Sequence, residues 1–381
     1  MRILIAPDSF KGSLSAYAVA GAIARGVKRA CPEADTVCVP MADGGEGTLE
    51  VFIRSGLARR SLTVADPLGR PVTAYYAAGD NVAVVELAQA SGLPLLEPTE
   101  RNPRLSSTRG TGELLLAAAQ ELPAGGELLL CIGGSATNDA GSGLLSALGA
   151  RFLDASGQEL PAGGAALRRL DSIDLSGLLP HLSKLSIRVA CDVDNPLLGP
   201  RGASTVFGPQ KGAGAAEVAE LEQALGQFAD VVARQTGVQL HDLAGAGAAG
   251  GTAGGLHALL GASLEPGVRL VAQLSGLERR LTAEDWDLVW TGEGSLDMQS
   301  AHGKVVSGVC GLALQRQLPV IALCGRVAAG AVDAVAGLQA AFALANGPLS
   351  PAESQAQAAD LLTLQAEQLT RLWQAGSARR A

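Results

Sequence analysis

The sequence predicts an α/β protein of two domains, in which a parallel-sheet domain built from both chain ends is interrupted by an inserted α/β domain. Three observations predict it. Each end of the chain repeats the order strand, polar loop, helix, which is the pattern of a parallel sheet. From about residue 61 that order gives way to strands that follow one another without helices. The length of 381 residues also exceeds one ordinary domain, and 48% hydrophobic against 17% charged residues describes a buried core, not a disordered chain.

Taken in order, residues 2–6 (RILIA) form a short buried strand that Pro7-Asp8-Ser9-Phe10-Lys11-Gly12 breaks. Ser13 or Ser15 can cap the helix whose apolar positions run through Val19, Ile23 and Val27. A strand over 36–39 ends in Met41-Ala42-Asp43-Gly44-Gly45-Glu46-Gly47-Thr48, and a helix follows from about Leu49. SLTVAD, VTAYYA and VAVVELA then read as a meander, before Ser107 to Glu113 opens an Ala/Leu-rich helix. The strand 127–132 runs into Gly133-Gly134-Ser135-Ala136-Thr137-Asn138-Asp139, which enters a helix near Leu144. Helices are expected near 217–235 and 253–260. Strand-loop-helix order resumes at 287–291, with the polar loop Gly292 to Asp297 and then Gly303-Lys304 leading into a helix. Strands at 318–325 and 339–345 and an amphipathic helix over 352–373 close the chain. Strands starting near 2, 36, 287, 318 and 339 give a flavodoxin-like, five-stranded layout. The domain expectation is therefore 1–60 plus 285–381, with 61–284 inserted and the active site in a cleft between them.

Composition excludes several classes. No apolar run approaches the ~20 residues of a membrane span, and the apolar start is too short for a signal peptide, so a cytoplasmic protein without membrane partners is expected. A net charge of -8 argues against nucleic acid. The six cysteines lie singly and form no CxxC, and with only four histidines a zinc site is not expected. His302 beside Gly303 reads as structural. Gly245 to Gly250 matches GxGxxG but follows no buried strand, and Gly303-Lys304-Val305 is not a P-loop.

The richest stretch is 188–213. Its strand ends in Asp192 and Asp194, two carboxylates that point the same way on an extended segment and need a cation or proton between them. A Gly/Pro-rich loop with Arg201 and Lys211 follows; a plain polar turn is the alternative reading. Only five of the 29 cationic side chains are lysines, and Lys11, Lys211 and Lys304 each touch a glycine. Small-residue loops with carboxylates and compact ammonium groups fit phosphoryl transfer: cations for the moving group, Mg2+ on carboxylate and phosphate oxygens, and a carboxylate facing the acceptor hydroxyl.

Five blocks, namely 6–16 (APDSFKGSLSA), 40–48 (PMADGGEGT), 133–139 (GGSATND), 192–213 and 291–304, resemble the glycerate kinase type 1 family nearly end to end. The resemblance implies an ATP-dependent 2-kinase acting on D-glycerate, and a flavodoxin-like domain interrupted by one with a restriction-enzyme-like fold. Departures are Ser295, where the family usually carries Arg, and Ser300, where it usually carries Thr.

The expected small-molecule partners are glycerate and ATP, with Mg2+ as cofactor. Asp192 is the first choice to face the acceptor hydroxyl, with Asp8 second and Lys11 beside them. Ser9, Lys11, Asp43, Gly44, Gly45 and Arg326 are expected to hold substrate. Gly133, Gly134, Ser135, Thr137, Asn138, Asp139, Gly208 and Lys211 are expected to hold nucleotide phosphates, and Asp194, Glu293 and Asp297 the metal.

Overall fold

The computed structural model describes residues 1–301 and 304–377, apart from the side chains of 299, 301 and 377; His302 and Gly303 lie outside the described residues. It is a mixed α/β structure with parallel sheets and covering helices. The chain divides into two compact units, Met1–Asp43 with Pro266–Ala381, and Gly44–Glu265. These boundaries differ from the expected 60/61 and 284/285. The helix Thr48–Arg54 belongs to the second unit, because the buried Glu86 carboxylate of that unit accepts the Leu49 N–H at 2.6 Å. The helices Gly267–Leu274 and Leu277–Ala283, unmarked in the sequence reading, belong to the first.

The first unit holds a five-stranded sheet whose pairings are all parallel. Numbered by appearance in that sheet, its strands Arg2–Ile5, Asp35–Cys38, Leu288–Thr291, Val320–Cys324 and Leu338–Ala343 stand in the order 2-1-3-4-5. Helix Ala16–Ala30 starts on Ser15, whose hydroxyl accepts the Ala18 N–H at 3.2 Å, a standard N-cap. Its buried face, Val19, Ile23 and Val27, joins Ile3, Ile5, Trp290, Leu362 and Ala366 in one core. Contact with the last helix, Ala358–Ser377, is close enough to require glycine: a Cβ on Gly26 would lie 2.2 Å from the Thr363 carbonyl oxygen. The closing helix, expected as one, is two. Pro351–Ala356 ends at Gln357 and Ala358–Ser377 follows.

The second unit holds a six-stranded mixed sheet. Ala58–Ala65 and Pro71–Ala78 pair antiparallel, as do Pro71–Ala78 and Val82–Glu86, which accounts for the meander. Beyond that edge, Val82–Glu86, Glu127–Cys131, Ser186–Ala190 and Ser263–Glu265 pair in parallel. The side chain of Arg188 crosses these strands to reach Glu265 at 2.7 Å and Glu127 at 3.2 Å. Among the described residues no helix is long and apolar enough to cross a membrane.

Candidate active site

In the first unit, three loops meet beyond the carboxyl ends of neighbouring strands, where α/β sheets place ligands. The Asp8 N–H donates to the Gly292 carbonyl at 2.8 Å, the Met41 N–H to Pro7 at 2.9 Å, and the Thr291 hydroxyl to Ala6 at 2.9 Å. Thus Asp8, Asp43 and Glu293, from segments far apart in sequence, enter one electrostatic neighbourhood.

Asp8 feels the result. Burial, then the charge of Asp43, and more weakly that of Glu293, push its carboxyl up to about 7, against the pull of the Ser9 N–H. That N–H donates to Oδ1 at 2.6 Å. Glu293 is nearly fully buried and is also raised, by burial first, although Ser300 and Lys304 oppose the shift. Its Oε1 has no hydrogen-bond partner among the described residues, so this carboxylate carries an unfilled acceptor. Asp297 adds a further negative charge near it, and its N–H bonds the Ser300 hydroxyl at 3.1 Å. No group of three or more His, Cys, Asp or Glu among the described residues is placed to hold a metal alone.

Beside these loops lies a cavity of about 290 Å³, lined by Phe10, Lys11, Ser13, Ser295 and Gln355 among others. Gln355, on the short helix Pro351–Ala356, is a contributor that sequence reading missed; its backbone carbonyl accepts the Ser13 hydroxyl at 2.8 Å. Nothing in a late amphipathic stretch signals such a contact. Arg326 is exposed on the two-residue strand that pairs with Ser295–Leu296. A larger cleft of about 520 Å³ lies elsewhere, along the Val305–Leu314 helix, and contains none of the expected site residues.

In the second unit the Gly-rich loop 133–139 has an exposed tip and a buried base. Gly133 and Gly134 are exposed, whereas Thr137, Asn138 and Asp139 have no exposed surface at all. Asp139 accepts four hydrogen bonds: from the Thr108 N–H and hydroxyl at 2.9 Å each, and from the Gly141 and Gly143 N–H groups at 3.2 and 3.3 Å. Burial raises its pKa while these donors resist. The Asn138 amide donates to Ser204 at 3.1 Å. Lys211, 1% exposed, donates from Nζ to the Thr137 carbonyl at 2.6 Å; burial pushes its pKa down to about 7 although Asp139 pulls the other way.

Four residues expected to meet phosphate oxygens, Thr137, Asn138, Asp139 and Lys211, are therefore buried at the base of the loop, where Thr137 Oγ1 and Asn138 Oδ1 have no hydrogen-bond partner among the described residues. Small polar residues read alike whether they face solvent or brace a turn, and the spacing could not separate the two. Gly208 is buried as well, where a Cβ would meet the Ser204 carbonyl at 2.3 Å. The GxGxxG-like run is part of the same brace: a Cβ on Gly250 would lie 2.2 Å from the Thr137 oxygen, and one on Gly247 equally close, 2.2 Å, to Pro196.

Gly44 and Gly45 lie against the loop tip, since a Cβ on Gly133 would come within 2.9 Å of Gly45 Cα. Asp192 is exposed on the loop after Ser186–Ala190. Asp194, also exposed, pairs with Arg201 at 2.8 Å, and that guanidinium holds its pKa low. Asp194 thus has a protein cation beside it already.

Known proteins resemble this chain in sequence and fold over most of its length. The sequence matches the glycerate kinase family over residues 3–374. It is 47% identical to glycerate 2-kinase of Escherichia coli over 328 residues, 85% of each chain, and 45% identical to glycerate kinase of Bacillus subtilis over 368 residues, 95% of each. A crystal structure described as glycerate kinase 2 from Salmonella typhimurium LT2 superimposes with a TM-score of 0.90 at 42% identity, covering 99% of both chains. The chain belongs to the glycerate kinase family.

Proposed function

We propose that this protein transfers the γ-phosphoryl group of ATP to D-glycerate, forming 2-phospho-D-glycerate and ADP. The observation that carries the chemistry is the carboxylate cluster of the first unit. A carboxyl raised to about 7 and set among other acids is matched to taking a proton from an acceptor hydroxyl near neutral pH. Asp8 is therefore preferred over the exposed Asp192 as the residue facing that hydroxyl. Ser9, Lys11 and Arg326 are the proposed contacts for the glycerate carboxylate. The exposed Gly133-Gly134 tip, which has no side chains to keep an anion from its backbone, is the proposed contact for nucleotide phosphates.

Mg2+ commonly uses one or two carboxylates and completes its shell with water and phosphate oxygens, so the lack of a ready-made cage does not conflict with it. The unfilled Oε1 of Glu293 fits such a partial site, and Glu293 with Asp297 are its proposed holders. Asp194, paired with Arg201, is left out. When bound, the ion would neutralise charge on the transferring phosphoryl group. We read the first unit as flavodoxin-like on its strand order and the second as restriction-enzyme-like in line with the family resemblance.

The test is to supply ATP, Mg2+ and D-glycerate and couple the product through enolase with no phosphoglycerate mutase present. Signal supports the 2-kinase. ADP release that needs glycerate but gives no enolase signal would replace it by attack from the 3-hydroxyl, and no ADP release would reject the assignment.

A further inference from the structure

Proteins rarely bury a lysine, and one buried against a backbone carbonyl calls for an explanation. Lys211 ends the short turn Pro209–Lys211, just after the helix Ala203–Phe207. This one segment grips the loop from below at two successive residues: Lys211 Nζ donates to the Thr137 carbonyl at 2.6 Å, and Ser204 Oγ accepts from the Asn138 side-chain Nδ2 at 3.1 Å. The Thr137 carbonyl and the Asn138 N–H belong to one planar trans peptide and point in opposite directions. Holding the carbonyl therefore fixes that whole peptide plane, and Gly250 closes on the same oxygen so tightly that it leaves no room for a side chain. The base of the loop is rigid by construction, and its only fully open residues are Gly133 and Gly134.

We propose that Lys211 is a positioning residue for nucleotide binding: its buried ammonium acts through the Thr137 carbonyl to hold loop 133–139 in the shape that presents Gly133 and Gly134 to the phosphates of ATP. The inference rests on the reading of that tip as the phosphate contact. It gives Lys211 an indirect part in place of the direct charge neutralisation that the sequence suggested. It also separates two kinds of loss. Removing the ammonium weakens ATP binding while leaving glycerate affinity intact, because the proposed glycerate contacts Ser9, Lys11 and Arg326 come from other segments.

The experiment compares Lys211→Met, Lys211→Gln and Gly134→Asp by calorimetric titration with a non-hydrolysable ATP analogue and, separately, with D-glycerate, alongside thermal unfolding. Met fills the buried space without charge. Gln keeps a donor for Thr137 without charge. Asp tolerates the left-handed backbone of Gly134, which has φ +74°, and sets a negative charge at the tip.

The expected result is a tenfold or greater rise in the analogue Kd for Lys211→Met, with D-glycerate Kd within twofold of the parent. Lys211→Gln should recover about threefold of that loss, remaining at least threefold weaker than the parent, while unfolding no later than Lys211→Met. Affinity and stability would then rank the two variants oppositely, which a merely structural lysine would not produce. Unchanged analogue binding in Lys211→Met, with weakened binding in Gly134→Asp, overturns the role of Lys211 alone. Unchanged binding in both overturns the phosphate-tip reading and the proposal with it. Should Lys211→Met not fold, Lys211→Gln decides by itself: a threefold loss of analogue affinity at constant D-glycerate affinity supports the proposal, and no loss rejects it.

Discussion

The Asp139 carboxylate takes both the N–H and the hydroxyl of Thr108 at 2.9 Å, and so joins the Gly-rich loop to the start of the helix Arg109–Glu121. The Thr108 oxygen in turn accepts the Leu144 N–H at 2.9 Å, extending the link to the next helix. Replacing Asp139 by Ala would strand these donors and remove the negative charge that the buried Lys211 feels from it. Breaking one side of a buried charge network costs about 3–5 kcal/mol. Urea unfolding of Asp139→Ala is expected to fall within that range; a loss below about 1 kcal/mol would mean that water replaces the carboxylate freely.

Asp8 links activity to pH. With its carboxyl held at about 7, kcat/KM for glycerate should rise with pH below neutrality and level off above it, as the proton-accepting form fills. Asp8→Asn should lose turnover by orders of magnitude and Asp192→Asn should lose much less. The opposite ranking in folded proteins would return the role to Asp192.

The same shift has a stability sign. Folded Asp8 keeps its proton to about 7, whereas the unfolded chain releases it near the ordinary value of 3.8, so stability falls as pH rises between those values. Asp8→Asn removes this penalty. At pH 8 and without Mg2+ the variant should therefore be more stable than the parent by about 1–3 kcal/mol, and the difference should vanish below about pH 4. Parallel denaturant titrations at the two pH values check it; a variant less stable at pH 8 would show that the carboxylate is held by more than it repels.

Gly26 tests the helix contact. Any side chain there meets the Thr363 carbonyl and Ala366, and backbone cannot move aside as a flexible side chain would. Gly26→Val should cost about 1–3 kcal/mol or more by overpacking, despite its better helix propensity. An unchanged melting temperature would mean that the two helices slide apart at little cost.

Much of this was legible in the sequence because buried parallel strands are short apolar runs that end in polar loops. RILIA, DLVWT and LPVIALCG mark three neighbouring strands of the first sheet. The loop residues Asp8, Asp43 and Glu293 stood out for the same reason: each follows an apolar run in a polar loop, where α/β sheets place ligands. Direction was not legible. Lys211 and Asp139 were both placed among the phosphate contacts, but residue type and spacing carry no sign telling inward from outward; that depends on Thr108, Ser204 and Gly250, which lie 31 to 113 positions away from the residues they meet. Glu86 was missed although it ends a buried strand, because its partner, the Leu49 N–H, is a backbone group that no sequence pattern displays.

The pairing of helix Ala16–Ala30 with Ala358–Ser377 also bears on how the chain is made. Residues 1–43 are translated before the second unit, yet the strand Leu288–Thr291 and the helix Ala358–Ser377 that complete their own unit are translated after it. The second unit has all its strands in hand long before that and can close while synthesis continues. Until those later segments arrive, the nascent segment 1–43 carries an open sheet edge and the bare face of Val19, Ile23 and Val27, both prone to mispairing. Premature termination ahead of Ala358–Ser377 would thus strand residues 1–43 as well, and two distant stretches of the message are bound to a common fate.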